Sequence, residues 1–581
     1  MKKKLFDICM MCLLLASCNT NKAYSSISVH SDNSINSTNK DSADLNSTGN
    51  EEVKIEVKTK KESRVYLTTD FYYELPTTFF TFDEDVPYVN IEDFINTFLV
   101  GVKGVQHYSI NSNVVRNIDT NITLTFDTAN NTIYTSDLDQ FENISNMSIN
   151  SNDLVNLKDN SHAVFSETDS SYTKGKEVTI DLNQYHTRIL SYENKVYVPF
   201  AYLDNIFCSQ NDNRYAFNGE DFYNSDVNLL IDDDTESFNE LGTAYFSGSL
   251  ANLNERSDSY INYCYYSFLF EMIYNDGKSN GASVTELDQK LDELGLKSEL
   301  RSKDSKVAEV AIAKTLFTVF SDGGHTRFTN LGVSTPYSKQ NNEEAGNLIG
   351  SLDSRFKKLM ETYNSLSAKR GQLTNNLSIS GETAIIRFDE FAYSETSSTF
   401  DLFKQSFETI KTNSSIRNVV FDVTLNGGGA AMALCDALSF LTDDPIKIRT
   451  KNPNTGAINV ESAKFDNDQD GDFDDNDSYQ GKYNFYVLTS NFSFSCANAF
   501  AVYCKDYNLA KIIGNRSGGG DCSVAMGSSA SGSCWTMSSN SMLIRKDDTS
   551  YDDGASLDYE LDSSYFYDAD KLNNYLCGLN K

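Results

Sequence analysis

The spacing of apolar and polar residues predicts a β-rich first half of the chain. Between residues 64 and 240, short runs of aromatic and β-branched residues, for example 122–126 and 196–200, alternate with Asn, Asp and Ser turns. Runs of this kind, bounded by turn residues, are typical of β-strands. We therefore predict a separate β-rich N-terminal domain of α+β type at residues 64–240, with a docking or spacer role.

The spacing changes between residues 255 and 330. Leucines recur there at intervals of four and three from residue 287 to residue 294, and Gly295 follows as a helix stop. The helical pattern ends on an Asp-Gly-Gly turn directly before His325. We predict a helical subdomain over residues 255–330 that carries His325.

From residue 376 to residue 570 the pattern alternates between strand and helix. One apolar β-run, 417–422, leads into Asn426 and three consecutive glycines, which precede a helical stretch. A second run, 485–488, is followed by a turn and by apolar residues at helical spacing, which places Ser495 at a helix start. Such alternation predicts an α/β core over residues 376–570.

The position of Ser495 suits two roles. Amides at a helix N-terminus have no intrahelical partner and carry the positive end of the dipole, so the Cys496 N–H can stabilise an oxyanion beside Ser495 Oγ. A serine there also caps helices, and capping is the more frequent role of an isolated serine. His325 favours catalysis, because it is the only histidine after residue 186 and imidazole suits a general base.

The glycine turn after Asn426 permits close approach of the backbone to another group. A nucleotide phosphate is the weaker candidate for that group, because no lysine follows the glycines and no GxGxxG motif is present. Together with His325, the glycine turn favours a catalytic serine over a capping one.

In their order along the chain, these segments resemble the tail-specific, or C-terminal processing, serine protease family. The segments are GHT at 324–326, D-x-x-x-N-x-G-G at 422–429, S-x-x-N at 495–498 and I-I-G-x-x-S-x-G at 512–519. The chain is more similar to the tricorn-core and retinoid-binding-protein-like branch than to the branch with Ser–Lys catalysis, because Gly520 stands where the latter keeps its lysine.

The resemblance implies a catalytic core of ClpP/crotonase-like ββα units. It implies Ser495 as the nucleophile and His325 as the general base, with the oxyanion bound by the amides of Gly428 and Cys496. An acidic residue that lies near the end of the domain in the family corresponds to Asp552, which is therefore a candidate to hold His325.

The resemblance also has departures, which leave alternatives open. Asp553 is a second candidate to hold the histidine, and a solvated loop is the alternative role of both acids. Asn498 replaces the usual Glu and Thr424 the usual Arg. We predict a serine peptidase that acts on peptides or proteins through an acyl-enzyme and requires no cofactor for catalysis. A catalytically inactive peptide-binding lipoprotein and a hydrolase of small esters are the alternatives.

The segment 466–477 has the pattern of a Ca²⁺ loop. Acids occupy positions one, three, five, nine and twelve, and a glycine occupies position six, as in loops of the EF-hand or dockerin type. A solvated acidic loop is the alternative. The candidate ligands of a structural Ca²⁺ ion are Asp466, Asp468, Asp470, Asp472, Asp474 and Asp477.

The N-terminus predicts the location of the protein. Three lysines precede a short apolar stretch, and Leu-Ala-Ser-Cys at 15–18 has the form of a bacterial lipobox. We predict a lipoprotein signal peptide at 1–17, a lipid on Cys18, a polar tether at 18–60 and an extracytoplasmic protein anchored to the bacterial cell membrane. A transmembrane anchor is the weaker alternative, because the apolar stretch is short and contains Asp7.

Charge and cysteine usage exclude other classes of protein. The formal net charge of −33 argues against nucleic acid as a partner, since such a partner requires a basic face. The eight cysteines after residue 18 form no CxxC or Cys/His metal spacing, so zinc is not predicted. Cys522 and Cys534 are candidates for a disulfide across a hairpin, with buried free thiols as the alternative.

Overall fold

The computed structural model describes residues 55–579 except 103, 105–106, 147–161, 166–168, 210–212, 226–235, 254, 331, 333–351, 395–396 and 474–476. The predicted signal peptide 1–17, Cys18 and most of the tether 18–60 lie outside the described residues, as does Asp474. Among the described helices, none combines the length and the hydropathy that a membrane crossing needs.

Fourteen strands lie in the first half of the described chain. Twelve of them form two sheets, and the other two pair with a strand of the second half. They are β1 (Val57–Tyr66), β2 (Tyr72–Phe80), β3 (Asp83–Asn90), β4 (Tyr108–Asn111), β5 (Val114–Asn117), β6 (Thr123–Asp127), β7 (Thr132–Thr135), β8 (Ala163–Phe165), β9 (Ser171–Thr173), β10 (Val178–Asp181), β11 (Leu190–Tyr192), β12 (Lys195–Pro199), β13 (Tyr215–Phe217) and β14 (Phe222–Asn224). One sheet has the order β11-β12-β3-β2-β1-β14-β13, and the other has the order β10-β7-β6-β5-β4.

Helices occur in both halves of the described chain. They are α1 (Ile91–Phe94, continued by the π-helical Ile95–Val102), α2 (Leu138–Asn146), α3 (Phe200–Phe207), α4 (Glu236–Tyr245), α5 (Asp258–Asn275), α6 (Val284–Glu293), α7 (Leu296–Leu300), α8 (Ser305–Val319), α9 (Ser354–Arg370), α10 (Thr399–Ile410), α11 (Ala431–Ser439), α12 (Cys496–Asp506) and α13 (Ala569–Leu579). Helix α6 begins at a capping box, in which Ser283 and Glu286 each bond to the other's backbone amide.

The remaining strands form the α/β half. They are β15 (Arg327–Asn330), β16 (Leu377–Ser380), β17 (Thr383–Arg387), β18 (Tyr393–Ser394), β19 (Ser397–Ser398), β20 (Asn418–Asp422), β21 (Ile446–Lys451), β22 (Ile458–Phe465), β23 (Asn484–Thr489), β24 (Lys511–Gly514), β25 (Cys522–Ser528), β26 (Cys534–Leu543) and β27 (Tyr559–Glu560). A six-stranded sheet has the order β16-β17-β20-β23-β24-β27, and its strands are parallel except for β16.

This mostly parallel sheet is covered on both faces by helices. Strand β20 is buried along its whole length, as expected for a strand between two helical layers. Side chains of α10, α11 and α12 pack in the core on one face, whereas α9 and α13 contribute Leu366, Leu572 and Leu576 to the other. The predicted α/β architecture is confirmed, whereas the bounds 376–570 stay a prediction.

A further sheet, which is antiparallel, contains strands from both halves of the chain. This sheet was not predicted. Its path is β15-β26-β21-β22-β8, with β25 paired to β26 and β9 paired to β22. Strands β8 and β9 belong to the predicted N-terminal domain, yet Ala163 pairs with Phe465, and Tyr172 with Asn459. The predicted N-terminal domain therefore contributes two strands to a sheet of the second half.

The N-terminal sheets and helices α5–α8 share one hydrophobic core, to which β26 contributes Trp535. Arg214, wholly buried, joins these parts: its Nε donates to Asp204 Oδ2 (2.7 Å), and its Nη1 donates to Glu271 Oε1 (2.6 Å) and to Met526 O (2.9 Å). These contacts link α3, α5 and β25. Residues 64–240 are thus not separate in their packing, which corrects that prediction.

The hairpin of β25 and β26 also settles the cysteine alternatives. Cys522 faces Met542 across the hairpin, and Cys534 faces Ser528. Both thiols are buried and free. The register keeps them apart, so the free-thiol alternative holds here.

Candidate active site

Ser495 lies between β23 and α12, at the carboxyl end of the parallel sheet. Its backbone has φ 54° and ψ −124°, and its side chain makes no capping hydrogen bond. Non-glycine residues rarely adopt positive φ, and such a conformation costs on the order of 1–3 kcal/mol. The Ser495 N–H donates to Gly519 O (2.9 Å), which helps to hold the turn. The capping alternative for this serine is therefore not what the structure shows.

The glycine turn after β20 packs directly against Ser495. A Cβ on Gly428 would lie 2.7 Å from Ser495 Cβ and 3.1 Å from its Oγ. A Cβ on the next residue, Gly429, would overlap the carbonyl of Phe391. Both glycines have positive φ, 116° and 140°. The group that the glycine backbone approaches is thus the serine turn of the protein itself.

The amides around Ser495 differ from the prediction in one respect. The Gly428 N–H donates to Asn426 Oδ1 (2.9 Å), so this amide is engaged within its own turn and does not face an oxyanion. Cys496 is the first residue of α12, where amides point out of the helix end. Its Sγ contacts Gly429 O at 3.0 Å, which ties the helix start to the glycine turn. Of the two predicted oxyanion donors, Cys496 keeps a suitable position.

His325 lies next to the residue that precedes Ser495. Its ring meets the Phe494 ring edge to face, with centroids 4.9 Å apart. A Cβ on Gly324 would overlap the Phe494 ring, and one on Gly520 would lie 2.5 Å from it. The imidazole is 6% exposed, and its Nε2 has no hydrogen-bond partner among the residues that the structure describes. His325 thus contacts the residue before Ser495, and no hydrogen bond joins the two predicted catalytic groups.

Asp322 holds the turn that carries His325, a role that the sequence analysis did not assign to it. Its Oδ1 accepts the N–H groups of Gly324 (3.0 Å), His325 (2.9 Å) and Thr326 (3.0 Å). Its Oδ2 lies 3.3 Å from His325 Nδ1 and also accepts from the hydroxyl of Ser538 on β26. The only sequence signal was its position three residues before the histidine. Asp is also common in turns that have no catalytic role, so this position alone did not indicate a function.

The electrostatics of this turn favour an ionised Asp322. Burial alone would raise the pKa of the carboxyl, but the neighbouring charge of His325 and the hydrogen bonds that it accepts lower the pKa of Asp322 well below its usual range. A carboxylate at this position favours the tautomer with the proton on Nδ1, which leaves Nε2 as a proton acceptor.

Asp552 does not contact His325, which corrects its predicted role. Its Oδ1 accepts the Gly520 N–H (3.0 Å), and its carboxylate pairs with Lys278 (3.2 Å) and Arg355 (3.7 Å). The reason is the placement of its loop, since a Cβ on Gly519 would lie 2.5 Å from Asp552 O. Asp552 therefore supports the glycine turn after β24, and no contact of Asp553 with His325 occurs among the described residues.

Asn498, one of the departures from the family pattern, has a structural role. Its Nδ2 donates to Tyr551 O (3.0 Å), and its Oδ1 accepts from the hydroxyl of Ser517 (2.7 Å). The Ala555 N–H donates in turn to Ser517 Oγ (2.9 Å). The amide thus joins α12 to the two loops beside it, and no charged residue is needed for that.

The predicted calcium ligands are partly brought together. One carboxylate oxygen each of Asp466, Asp468 and Asp470 lies within 4.8 Å of the other two. Asp477 is buried at the end of the same loop, and its Oδ1 accepts the Asn467 N–H (3.0 Å). Asp472 is outside this group and accepts the N–H of the next residue instead.

Comparison with known proteins gives a family match for part of the chain. Residues 382–560 match the sequence model of peptidase family S41, and this segment contains Gly428, Ser495 and Asp552 but not His325. No curated protein matches the chain. The match covers less than half of the chain, so it describes the α/β half alone.

Several solved structures are similar to the chain. A candidate peptidase from Parabacteroides merdae is 15% identical, with a TM-score of 0.37, and the match covers 56% of this chain and 97% of that one. The photosystem II D1 C-terminal processing protease is 16% identical (TM-score 0.34; 52% and 92% covered). A lipoprotein from Streptococcus agalactiae is 12% identical (TM-score 0.34; 57% and 99% covered). Similarities this low define no activity.

The strained serine at the start of α12 and the glycine turn that meets it both lie inside the matched segment. Residues 382–560 are thus similar to peptidase family S41, and the similarity includes both turns.

Proposed function

We propose that the protein is a serine peptidase in which Ser495 is the nucleophile and His325 the general base. The observation that carries the proposal is the backbone of Ser495, whose φ of 54° is costly and whose hydroxyl caps nothing. A strained serine on a strand-to-helix turn exposes its Oγ to substrate, as in nucleophile elbows. The burial of His325 and Asp322 beside this turn supports the pairing.

The reaction follows from these positions. Ser495 Oγ attacks the carbonyl carbon of the scissile peptide bond while His325 Nε2 takes the hydroxyl proton. The Cys496 N–H stabilises the oxyanion. The bond to nitrogen then breaks, and the proton passes from Nε2 to the leaving amine. Water attacks the acyl-enzyme in the same manner and releases the acid.

Asp322 positions the base in this scheme. Its Oδ2 faces His325 Nδ1 at 3.3 Å, so the carboxylate stabilises the imidazolium that forms when Nε2 takes the proton. The contact of Ser495 with Nε2 has to form when substrate binds, which is common because catalytic hydrogen bonds are often long before the substrate is present. The unpartnered Nε2 suits this step.

Fluorophosphonate labelling tests the proposal. We expect the probe to label the wild-type protein on Ser495, and peptide mapping should leave the neighbouring Ser493 unlabelled, because the Ser493 hydroxyl donates to Val423 O. Ser495→Ala should lose the label. If the wild-type protein is folded, as a cooperative melting transition would show, and still takes up no label, the inactive peptide-binding alternative is favoured. Equal labelling of the wild type and of Ser495→Ala would refute Ser495 as the nucleophile.

We also infer that the protein is anchored by lipid on Cys18. The support is the lipobox-like Leu-Ala-Ser-Cys sequence at 15–18, which the polar segment follows. A bacterial host that expresses the full chain should attach labelled palmitate to it, and Cys18→Ser should abolish both the label and partition into detergent. Labelling that survives the substitution would contradict this inference.

A further inference from the structure

We propose that Asp466, Asp468, Asp470 and Asp477 bind one Ca²⁺ ion, which fastens the loop between β22 and β23. The loop carries no catalytic residue, so this site is independent of the proposed peptidase activity. Three of the four carboxylates already converge, and the fourth lies buried at the end of the loop.

The spacing of the oxygens fits a single ion. Calcium takes oxygen ligands at about 2.3–2.6 Å, so two oxygens on one ion lie at most about 5 Å apart. Asp466, Asp468 and Asp470 each offer one carboxylate oxygen, and these three oxygens are within 4.8 Å of one another. Gly471 follows them with φ 92°, a conformation that glycine adopts without strain.

Asp477 supplies the independent observation. It is only 8% exposed, and its Oδ2 has no hydrogen-bond partner among the described residues. Its Oδ1 accepts the N–H of Asn467, the residue between the first two ligands, and its charged neighbours are Asp466 and Asp468. A buried carboxylate oxygen without a donor is costly, and a cation in the loop would provide the missing partner.

The four carboxylates also lack a protein counter-charge. Within the described part of the chain, none of them forms an ion pair with a lysine or an arginine. The nearby Lys404 donates instead to the amide oxygen of Gln469 (2.6 Å). Like charges this close repel one another unless a cation neutralises them.

An ion here would stabilise the place where the loop after β22 meets helix α11 and the residue before β8. The Asp466 N–H donates to His162 O (2.7 Å), and Asn467 Oδ1 accepts from the hydroxyl of Ser439 (3.0 Å) at the end of α11. His162 Nε2 contacts Asp436 Oδ1 of the same helix at 3.0 Å. Helix α11 begins directly after the glycine turn that meets Ser495. The expected role of the ion is therefore to stabilise this junction, at a distance from the reacting atoms.

Calcium is favoured over magnesium by the donor set. Magnesium requires near-ideal octahedral geometry and retains several waters, whereas calcium accepts six to eight oxygens in a flexible arrangement. Four carboxylates, the backbone carbonyl at position seven and water together supply such a set. Thiols and imidazoles, which a transition metal would prefer, are not among the four ligands.

The test uses the full chain after chelation and removal of the chelator. Titration calorimetry with CaCl₂ should show one site, and saturating calcium should raise the melting temperature by about 3 °C or more. Asp468→Asn/Asp470→Asn should weaken binding by at least about tenfold and remove the thermal shift. Both side chains are exposed, so the variant should fold. Asp70→Asn/Asp292→Asn, which removes two exposed carboxylates elsewhere, should bind like the wild type.

Three outcomes would overturn the calcium proposal. Absence of calcium binding to wild type would leave a solvated acidic loop, and unchanged binding to Asp468→Asn/Asp470→Asn would place the ion elsewhere. Equal affinity for Mg²⁺ would contradict the choice of calcium. Loss of fluorophosphonate labelling with calcium binding intact would count against the peptidase proposal alone.

Discussion

The two turns that meet at the candidate site are held in different ways. Ser495 has a costly backbone conformation and is confined by the backbone of Gly428. His325 has no such strain, and its turn is organised by Asp322, which accepts three amides and faces the imidazole. The proposed nucleophile is thus positioned by close packing, and the proposed base by a neighbouring charge. The serine turn should therefore be sensitive to added side-chain volume at Gly428, and the histidine turn to the loss of the charge on Asp322.

The largest effect should follow from removal of the base itself. His325→Ala should lower turnover by about a thousandfold, the middle of the range for general-base catalysis, with little change in melting temperature. The control is His107→Ala, whose side chain is 46% exposed and pairs with Asp119. Steady-state kinetics on a peptide substrate measure the effect, and turnover within a few fold of wild type would mean that another group is the base.

The sensitivity of the serine turn to volume can be tested with two adjacent glycines. Gly428→Ala should reduce the rate of fluorophosphonate labelling by at least about a hundredfold, because its Cβ would lie 2.7 Å from Ser495 Cβ and displace the nucleophile. Gly427→Ala is the matched control, since its Cβ would meet Phe492 at an ordinary 3.5 Å. Equal effects of the two substitutions would refute positioning of the nucleophile by close packing.

The sensitivity of the histidine turn to ionisation can be tested at constant volume. Asp322→Asn should lower turnover by about tenfold to a hundredfold, because the amide loses the charge that stabilises the imidazolium. The loss should appear in kcat more than in KM, since Asp322 acts through His325. A change confined to KM would point to a role in substrate binding instead.

The same carboxylate should contribute to the pH dependence of stability. The pKa of Asp322 is lowered in the folded state, so its contribution is complete above the ordinary Asp pKa of about 3.9 and is lost as the pH falls towards the folded-state pKa. The wild type should therefore exceed Asp322→Asn in unfolding free energy at pH 6, and the gap should narrow between pH 4 and pH 2. Urea titrations across this pH range measure the difference in unfolding free energy. A difference that grows as the pH falls would contradict a lowered pKa of Asp322 in the folded state.

The smallest effect should come from Asp552, the acid that the family pattern indicated. Asp552→Asn should change turnover by less than about threefold, because the side chain bonds to Gly520, Lys278 and Arg355 and not to the imidazole. An effect as large as that of Asp322→Asn would restore Asp552 as the orienting group.

The residues of the serine turn could be predicted from sequence because their signals are local. The change from strand to helical spacing placed Ser495 at the start of α12, and the run of glycines marked the turn that meets it. The orienting acid could not be found in this way, since a side chain that accepts three amides of its own turn has the same sequence signature as an ordinary turn residue.

Two further features could not be predicted, one because a local side chain decides it and the other because it depends on contacts between distant segments. The family resemblance implies that the Gly428 N–H binds an oxyanion, but the side-chain oxygen of Asn426, two residues earlier, accepts this N–H. The spacing of residues does not reveal which acceptor the amide has. The N-terminal strands appeared separate because their turns are regular, whereas Arg214 and the shared core join them to α5 and β25. Pairings over several hundred residues leave no periodic trace in the sequence.

The buried arginine has a consequence for how this protein can evolve. If recombination replaced the chain before residue 240, Glu271 would stay in the interior without its guanidinium partner, and the Met526 carbonyl would lose its donor. A foreign N-terminal half would have to supply a cation at the same point in space. We therefore expect a hybrid joined at that position to be less stable than the natural chain, whatever the substrate of its second half.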